Sequence, residues 1–329
     1  MVSLIISNDT ITMRPPYDIS PTILKLITSI SEKIGEVNAN FLNKQSPQLR
    51  KTNRIKTIQA SLQIEGNSLG EEQITAILEN KRVIGPQKDV IEVLNALQVY
   101  EHLQNYKCDT ENSFLNAHAT LMKGLIEQPG KYRNQGVGIV KGSHIEHIAP
   151  SHTQVPFLMK DLFAYLRNPD ELTLIKSCVF HYEMEFIHPF MDGNGRMGRL
   201  WQTLILINEY PIFDFLPFES LISQTQDQYY QALATSDKAG NSTAFIEYML
   251  GVINQSLANL LQYNNRILKD IDRLTYFISI SQKEFSRKNY MNIFKDLSSA
   301  TASRDLKKGI DLGLFKSSGE KNKTKYSII

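Results

Sequence analysis

Apolar residues recur every three or four positions along most of this 329-residue chain, which is the period of an amphipathic α-helix. Pro21 begins a stripe of isoleucines that predicts a helix ending at Gly35. A second predicted helix runs from Ser46-Pro47 to the stop signal Gly66-Asn67. Further helices are predicted over residues 71–85, 87–106, 114–126, 156–166, 172–186 and 253–279. The chain is therefore predicted to be mainly α.

The same pattern predicts which helix faces are buried. In residues 87–106 the inward stripe is Val90, Val93, Leu94, Leu97 and Tyr100. In residues 172–186 the stripe begins at Leu172 and leads to His188 at the end of the helix. Residues 1–20 contain Pro15-Pro16 and little periodicity, so they are predicted to be an extended lead-in.

Two segments depart from the helical period. Residues 137–149 alternate apolar and polar positions around Gly142-Ser143, which predicts a β-hairpin. From residue 281 onward a short helix around 290–295 is followed by a second helix and a basic, strand-like end. From Lys283 to the end there are eleven Lys/Arg and five Asp/Glu, a net charge of about +6 against +2 for the whole chain.

Composition narrows the class of protein. With 42% hydrophobic and 21% charged residues the chain is predicted to be a soluble globular protein. Its apolar runs are too short to cross a membrane, and the first residues lack the basic region of a signal peptide. Cys108 and Cys178 are the two cysteines, which predicts a reducing cytoplasm and neither a disulfide framework nor a zinc site.

The string from His188 to Arg199, HPFMDGNGRMGR, contains parts suited to a phosphate ester. Gly193 and Gly195 flank Asn194, so the backbone can turn several N–H groups into one anion-binding nest. The helix that follows adds the positive end of its dipole.

Three other side chain types complete the set. Arg196 and Arg199 stand three residues apart, share a helix face and can each hold phosphate oxygens. Asp192 precedes the nest, where a carboxylate can hold Mg²⁺. His188 is the group of this set that takes a proton near neutral pH. The sequence therefore predicts a site for phosphate chemistry.

This string resembles the signature of the Fic family, His-x-Phe-x-Asp/Glu-Gly-Asn-Gly-Arg-x-x-Arg, at every fixed position. Most members transfer AMP from ATP to a hydroxyl of a target protein. The resemblance implies that His188 takes the proton of a Ser, Thr or Tyr hydroxyl and that Asp192 holds Mg²⁺ or Mn²⁺. It implies an ATP-binding loop made of Gly193, Asn194, Gly195, Arg196, Met197, Gly198 and Arg199. Doc-like kinases of the superfamily have Lys where this chain has Gly195, which favours nucleotidyl transfer.

A second motif precedes the signature. Ser61-Leu62-Gln63-Ile64-Glu65-Gly66 resembles the inhibitory motif of many Fic proteins, in which the glutamate pairs with the last arginine of the signature, here Arg199. That resemblance implies self-inhibition by Ser61 and Glu65 on a helix of about residues 47–66. Physically, a carboxylate at a helix C-terminus faces the negative end of the dipole and calls for a cation. The alternative is a solvated glutamate at a helix end.

Two further regions carry weaker resemblances. Tyr229-Tyr230 is similar to a tyrosine pair that borders the adenine ring in many Fic proteins, although two helical tyrosines are ordinarily core residues. Asp237 stands where the family often has Asn. The hairpin at 137–149 resembles the Fic flap, which implies that a target protein docks there by strand addition.

The expected fold is a Fic-type helical domain with a β-hairpin flap and a small C-terminal winged-helix (α+β) domain. The expected domains are residues 1–86, 87–280 and 281–329. The first function hypothesis is a self-inhibited protein adenylyltransferase that uses ATP. The second is a nucleotide-sensing regulator that binds DNA through residues 281–329, and the alternative for that tail is protein docking or dimer stabilisation. A homodimer is left open.

Overall fold

A computed structural model describes residues 4–7, 10–40, 47–141, 144–265, 270–280, 284–294, 297–319 and 324–328. The predicted turn at Gly142-Ser143 and part of the basic end, residues 320–323, lie outside the described residues. The chain divides into two compact units, Met1–Leu261 and Gln262–Ile329, and each has its own apolar core.

The first unit is largely helical, as the apolar period predicts. Its helices are α1 (Pro21–Asn40), α2 (Pro47–Ile64), α3 (Glu71–Leu78), α4 (Gln87–Glu101), α5 (Glu111–Leu121), α6 (Val155–Leu166), α7 (Thr173–Ile187), α8 (Asn194–Glu209), α9 (Glu219–Gln224), α10 (Gln226–Ala239) and α11 (Thr243–Asn265). Short 3₁₀ turns occupy Leu103–Asn105 and Pro211–Asp214. Helices α7 and α8 pack against each other at the centre of the unit, and the candidate signature lies between them.

Several predicted boundaries were wrong. Helix α1 does not end at Gly35, because Val37 in the next turn is buried in the core. Helix α5 ends at Leu121 and not near residue 126. The extended lead-in contains two strands, β1 (Leu4–Ser7) and β2 (Thr10–Met13), which pair antiparallel with Ser7 opposite Thr10.

The predicted inward faces also needed correction. Leu94 of α4 is 50% exposed, and the buried face carries Glu92 and Asn95 among its apolar residues. These polar side chains are buried because each has partners: Asn95 donates to the carbonyls of Leu121 and Lys123, and Glu92 binds residues of the candidate site. Leu172 lies just before α7 and is exposed.

The predicted hairpin is confirmed. Strands β3 (Gly138–Lys141) and β4 (His144–Ile148) pair antiparallel, with Gly138 opposite Ile148 and an irregularity in register between Ile139 and Val140. The hairpin lies between α5 and α6 in the chain. Within the described residues, no helix is long and apolar enough to span a membrane.

The second unit contains three helices and a small sheet among its described residues. They are α12 (Asp270–Ile280), β5 (Glu284–Ser286), α13 (Arg287–Ile293), α14 (Ser299–Asp311), β6 (Phe315–Ser318) and β7 (Lys325–Ile328). The sheet is antiparallel in the order β5-β7-β6. The unit begins before residue 281, because Leu274 and Phe277 of α12 pack in its core. The single helix predicted over 253–279 is therefore two helices, one in each unit.

Candidate active site

His188 ends α7 in an unusual backbone conformation. It is the C-cap residue, with φ 49° and ψ 61°, the left-handed region that few non-glycine residues adopt. Its ring Nδ1 lies 3.3 Å from the carbonyl oxygen of Glu185. Because a carbonyl only accepts hydrogen bonds, Nδ1 carries the proton in the neutral ring and the lone pair is on Nε2. The His188 ring is therefore in the tautomer that a general base needs.

The loop after His188 is fixed by buried side chains. Asn194 accepts from the Phe190 N–H at 2.9 Å and donates to the Phe190 carbonyl at 3.0 Å, so its side chain closes the loop. His118 of α5 accepts from the Gly130 N–H, so its Nε2 donates to the Asp192 carbonyl at 3.0 Å. The His118 and Phe190 rings stack with centroids 3.5 Å apart. Burial lowers the pKa of His118 to about 4, so the ring is neutral at physiological pH.

The N-terminus of α8 lies at the position of the predicted nest. Gly193 is its N-cap with φ 87°, a value that glycine adopts readily, and a Cβ there would meet Met122 at 2.7 Å. The first N–H groups of an α-helix have no acceptor within the helix, so this end of α8 favours an anion. A Cβ on Gly195 would collide with the carboxylate of Glu65. The backbone at Gly195 must therefore be bare for that carboxylate to approach.

A cavity of about 280 Å³ opens beside this nest. Its lining brings together residues that are far apart in the sequence: Glu65, Glu185, Phe186, His188, Gly195, Arg199, Tyr229, Tyr230, Leu233, Ala234 and Asp237. The wall combines a base, a guanidinium, a helix N-terminus and two aromatic rings. Such a wall suits a ligand with both a phosphate group and a flat aromatic ring.

Arg199 is held by the last turn of α2 and by Glu65, which directly follows that helix. Its Nη2 donates to Glu65 Oε1 at 2.7 Å and to the Ser61 carbonyl at 3.0 Å, and its Nε donates to Ser61 Oγ at 3.0 Å. Arg199 is 1% exposed, whereas the Glu65 side chain is 32% exposed. Although burial works against the charge, the nearby Glu65 carboxylate raises the pKa of Arg199. The cation that the end of α2 calls for is therefore Arg199.

Asp192 and Arg196 lie outside the lining of this cavity. Asp192 Oδ1 accepts from the Gly193 N–H at 2.6 Å and from Arg196 Nη2 at 3.0 Å, and the side chain is 48% exposed. Arg196 Nη1 donates to Glu92 Oε1 at 2.9 Å, and both side chains are buried. The Arg196 guanidinium is therefore held by two carboxylates through Nη1 and Nη2, and its Nε is buried without a hydrogen-bond partner among the described residues.

The remaining signature residues serve the packing of α8. Met197 is fully buried, and a Cβ on Gly198 would lie 2.6 Å from the His181 ring. His181 is a buried core histidine, and its Nδ1 lies 2.7 Å from Gln202 Oε1. The hydroxyl of Tyr229 lies 3.0 Å from His181 Nε2. Gly198 thus lets α7 and α8 approach closely enough for His181 to orient Tyr229.

The tyrosine pair has two different environments. Tyr229 is 1% exposed and Tyr230 is 38% exposed, and their ring centroids are 5.3 Å apart. Both residues line the cavity. Tyr229 is therefore a buried core residue that also forms part of the cavity wall. Asp237, on the same wall, accepts from the Tyr182 hydroxyl at 2.8 Å.

Sequence reasoning missed the residues that support the loop from other elements. These are Glu92, His118 and Arg133. Glu92 and His118 are polar residues within apolar stretches of sequence, which in principle signals a buried partner, whereas Arg133 lies in a polar stretch. No spacing rule links them to residues 188–199, because the contacts depend on how α4, α5 and the segment before β3 pack.

Comparison with known proteins agrees with this geometry. Residues 109–206 match the Fic/DOC family. A crystal structure of a Fic family protein from Desulfovibrio desulfuricans G20 is similar with a TM-score of 0.74 and 39% identity, over 96% of this chain and 98% of that one. The structure of Fic-1 residues 134–508 from C. elegans has a TM-score of 0.60 at 21% identity, covering 74% of this chain and 72% of that one, and shows the fold alone.

Two relatives have names that state an activity. Protein adenylyltransferase fic-1 from Caenorhabditis elegans is 26% identical over 61% of this chain and 39% of its own length. Protein adenylyltransferase Fic from Nematostella vectensis is 25% identical over 70% of this chain and 55% of its own length. The chain thus spans about two fifths to just over half of these relatives.

Proposed function

Since this chain belongs to the Fic family, we propose that it is a self-inhibited protein adenylyltransferase that moves AMP from ATP to a Ser, Thr or Tyr hydroxyl of a protein. The adenylyltransferase activity named for the C. elegans and N. vectensis relatives supports this reaction class. Gly195, in place of the lysine of Doc-like kinases, supports nucleotidyl over phosphoryl transfer.

One observation carries the proposal. Arg199, the last arginine of the signature, is paired at 2.7 Å with Glu65 on the wall of the cavity that contains His188. The Glu65 carboxylate lies at the N-terminus of α8, where an anion is favoured. Glu65 therefore occupies the place and the partner that a terminal phosphate of ATP would take. Binding of the triphosphate requires that the pair separate.

The reaction follows from the tautomer of His188. Nε2 takes the proton of the acceptor hydroxyl, and the hydroxyl oxygen then attacks the α-phosphorus of ATP. The bond between the α-phosphorus and the bridging oxygen breaks, and pyrophosphate leaves. Backbone N–H groups at the start of α8 stabilise the negative charge on the phosphate oxygens. Tyr229 and Tyr230 hold the adenine base, which packs against the exposed ring of Tyr230.

Asp192 suits a divalent metal. Its carboxylate is half-exposed, and its hydrogen bonds to the described residues engage Oδ1, so Oδ2 is the oxygen that would bind a cation. Mg²⁺ binds proteins through one or two carboxylates together with substrate phosphates. When bound, Mg²⁺ or Mn²⁺ would neutralise charge on the phosphates as pyrophosphate leaves. Asp192 would hold the ion, and Glu92 would keep Arg196 in place beside it.

The test is transfer of label from α-labelled ATP in the presence of Mg²⁺. Replacing Glu65 by Gly should raise the incorporation of label into protein by roughly 5- to 150-fold, the usual range for one regulatory contact. Glu79→Gly is the matched control, because Glu79 also lies at a helix C-terminus but pairs with Lys51 and Lys81 away from the cavity. The transferase proposal would be refuted if neither the wild-type protein nor the Glu65→Gly variant incorporated label.

A second variant tests the base. His188→Ala in the Glu65→Gly background should abolish label while leaving ATP binding largely intact, because the nest and Arg199 remain. Retained transfer would remove His188 from the mechanism. Mass spectrometry of the Glu65→Gly protein then gives the nucleotide from the mass increment and the acceptor from its position.

The partners follow from the same proposal. The target protein docks at the hairpin of residues 137–149. The two short strands of the hairpin pair with each other, and an extended segment of the target can pair with an outer edge. Cys108 and Cys178 are both free thiols, which supports a cytoplasmic location.

A second candidate function belongs to the second unit. Its element order, α12-β5-α13-α14-β6-β7 with the sheet order β5-β7-β6, supports a winged helix, in which α14 would be the recognition helix. Arg304 and Lys307 are exposed on α14. This basic face supports binding of duplex DNA, and the alternative is protein docking or dimer stabilisation.

A further inference from the structure

Arg133 is a buried cation whose partners are backbone carbonyls. It lies between α5 and β3 and is 3% exposed. Within the described residues no carboxylate forms an ion pair with it. A buried guanidinium costs free energy unless its N–H groups are matched, so the set of acceptors around it is informative.

Two of these acceptors lie at the end of α7. Nε donates to the carbonyl of His188 at 2.8 Å, and Nη2 donates to the carbonyl of Ile187 at 3.3 Å. The backbone N–H of Arg133 also donates to the Pro189 carbonyl at 2.9 Å. A cation at this position matches the negative end of the α7 dipole. Arg133 thus binds three successive carbonyls around the left-handed residue His188.

The other two acceptors lie on either side of the hairpin. Nη1 donates to the Gln135 carbonyl at 2.9 Å, just before β3, and Nη2 donates to the Pro150 carbonyl, just after β4. One planar guanidinium therefore connects the backbone of His188 to both ends of the hairpin. A guanidinium is rigid, so it fixes these backbone groups relative to one another.

The geometry points to Arg133 as the positioning residue that holds His188 in its left-handed conformation and sets the distance from its Nε2 to a protein segment on the hairpin. This inference rests on the proposed transfer reaction, in which the hairpin presents the acceptor hydroxyl. Arg133 acts through backbone and touches neither ATP nor acceptor. It should therefore influence the transfer step and leave nucleotide binding unchanged, because Arg199, Gly195 and Tyr230 are held by other groups.

The experiment uses the full chain with Glu65→Gly as the active parent. Arg133→Ala should lower kcat for label transfer by about 100-fold, the scale expected when a catalytic group is misplaced by about 1 Å. The KM for ATP should stay within about threefold of the parent value. Arg133→Lys keeps the charge and a donor but loses the planar fork, so its kcat should lie between those of the parent and Arg133→Ala.

The matched control is Arg167→Ala, which removes an exposed arginine that donates to the Asp109 carbonyl at 3.1 Å. Its kcat should equal that of the parent. An Arg133→Ala protein with the parent kcat, or with kcat intact and a raised KM for ATP, would overturn the inference. If the Glu65→Gly parent itself transfers no label, the proposed function fails and not the role of Arg133.

Histidine side chain NMR gives a readout that is independent of transfer. The sequence has seven histidines, and His188→Ala identifies the His188 signal. Arg133→Lys should shift or broaden that signal and leave the buried His181 signal in place. An unchanged His188 signal in a folded Arg133→Lys protein would contradict the positioning role, and this variant keeps the test valid if Arg133→Ala does not fold.

Discussion

His181 is a neutral histidine enclosed by the core. It is 0% exposed, and burial lowers its pKa to about 3. An unfolded histidine has a pKa of about 6.5, so between these two values the unfolded chain binds a proton that the folded chain does not. The contribution of His181 to stability is complete above pH 6.5 and is lost as the pH falls toward 3.

We therefore expect a specific pH dependence. Between pH 6 and pH 4.5, His181 should contribute about 1 kcal/mol of unfolding free energy per pH unit. His181→Gln should lower the stability at pH 7 and also reduce the slope against pH by about that amount. Urea unfolding at several pH values measures both quantities. An unchanged slope in His181→Gln would contradict the neutral assignment.

At this scale the sequence predicted the candidate base, nest and arginines but not the residues that support them. The twelve residues from His188 to Arg199 are contiguous, so one local pattern contains the base, the nest and the arginines. Arg133 and His118 reach the same loop from outside it, through backbone carbonyls. A carbonyl is present at every residue and leaves no signature in the sequence, so these contacts become visible in the folded chain.

Helix α2 is held at several points along its length. Asn53 donates to the Phe215 carbonyl at 2.9 Å, and Arg54 pairs with Asp214 at 3.0 Å. Near its end, Gln226 of α10 donates to the Ile64 carbonyl at 3.0 Å. The Gln226 contact satisfies one of the unpaired carbonyls at the C-terminus of α2, directly before Glu65. The position of Glu65 thus depends on α10, the helix that also carries the two tyrosines.

Loss of the Gln226 contact should weaken inhibition partly. A hydrogen bond of this kind contributes about 1 kcal/mol, so Gln226→Ala should raise the population with Glu65 released, and with it the label transfer, by about fivefold. Gln255→Ala is the control, because Gln255 is exposed on α11 and bonds Asn259. The comparison is the initial rate of labelling from α-labelled ATP. Labelling at the wild-type rate in Gln226→Ala would show that this contact does not restrain α2.

At the scale of elements, helix existence was predictable and helix faces were less so. The apolar period located α4, but Leu94 was placed inward while Glu92 and Asn95 occupy the buried face. A hydrophobic pattern scores polar residues as exposed, and it cannot know that Arg196 will neutralise Glu92 from a helix about a hundred residues later. The β3-β4 hairpin was predicted because strand alternation is local.

The two units have separate apolar cores, and the second unit has ion pairs of its own. The second unit is closed by its own buried polar group, since Asp305 binds Arg273 at 2.6 Å and 2.9 Å and accepts from the Tyr290 hydroxyl at 3.0 Å. Lys308 of α14 pairs with Asp270, and Arg287 of α13 donates to Ser303 of α14. Arg304 and Lys307 of α14 are exposed, and the prediction of DNA binding depends on these two residues.

If α14 is a recognition helix, the full chain should bind duplex DNA with an affinity that falls steeply with salt. The double variant Arg304→Glu and Lys307→Glu should weaken binding and reduce the slope of log affinity against log salt by about 2, one for each lost phosphate contact. The matched control reverses two exposed lysines of the first unit, Lys25→Glu and Lys160→Glu, and should bind as the parent does.

Label transfer by both double variants in the Glu65→Gly background separates the two functions. Because the candidate active-site cavity and α14 belong to different compact units with different cores, the charge reversals on α14 should leave transfer unchanged while they weaken DNA binding. A full chain that does not bind duplex DNA at low salt would refute the regulator hypothesis. In that case the basic face of α14 would be a solvated surface, and the transferase proposal would stand on the first unit alone.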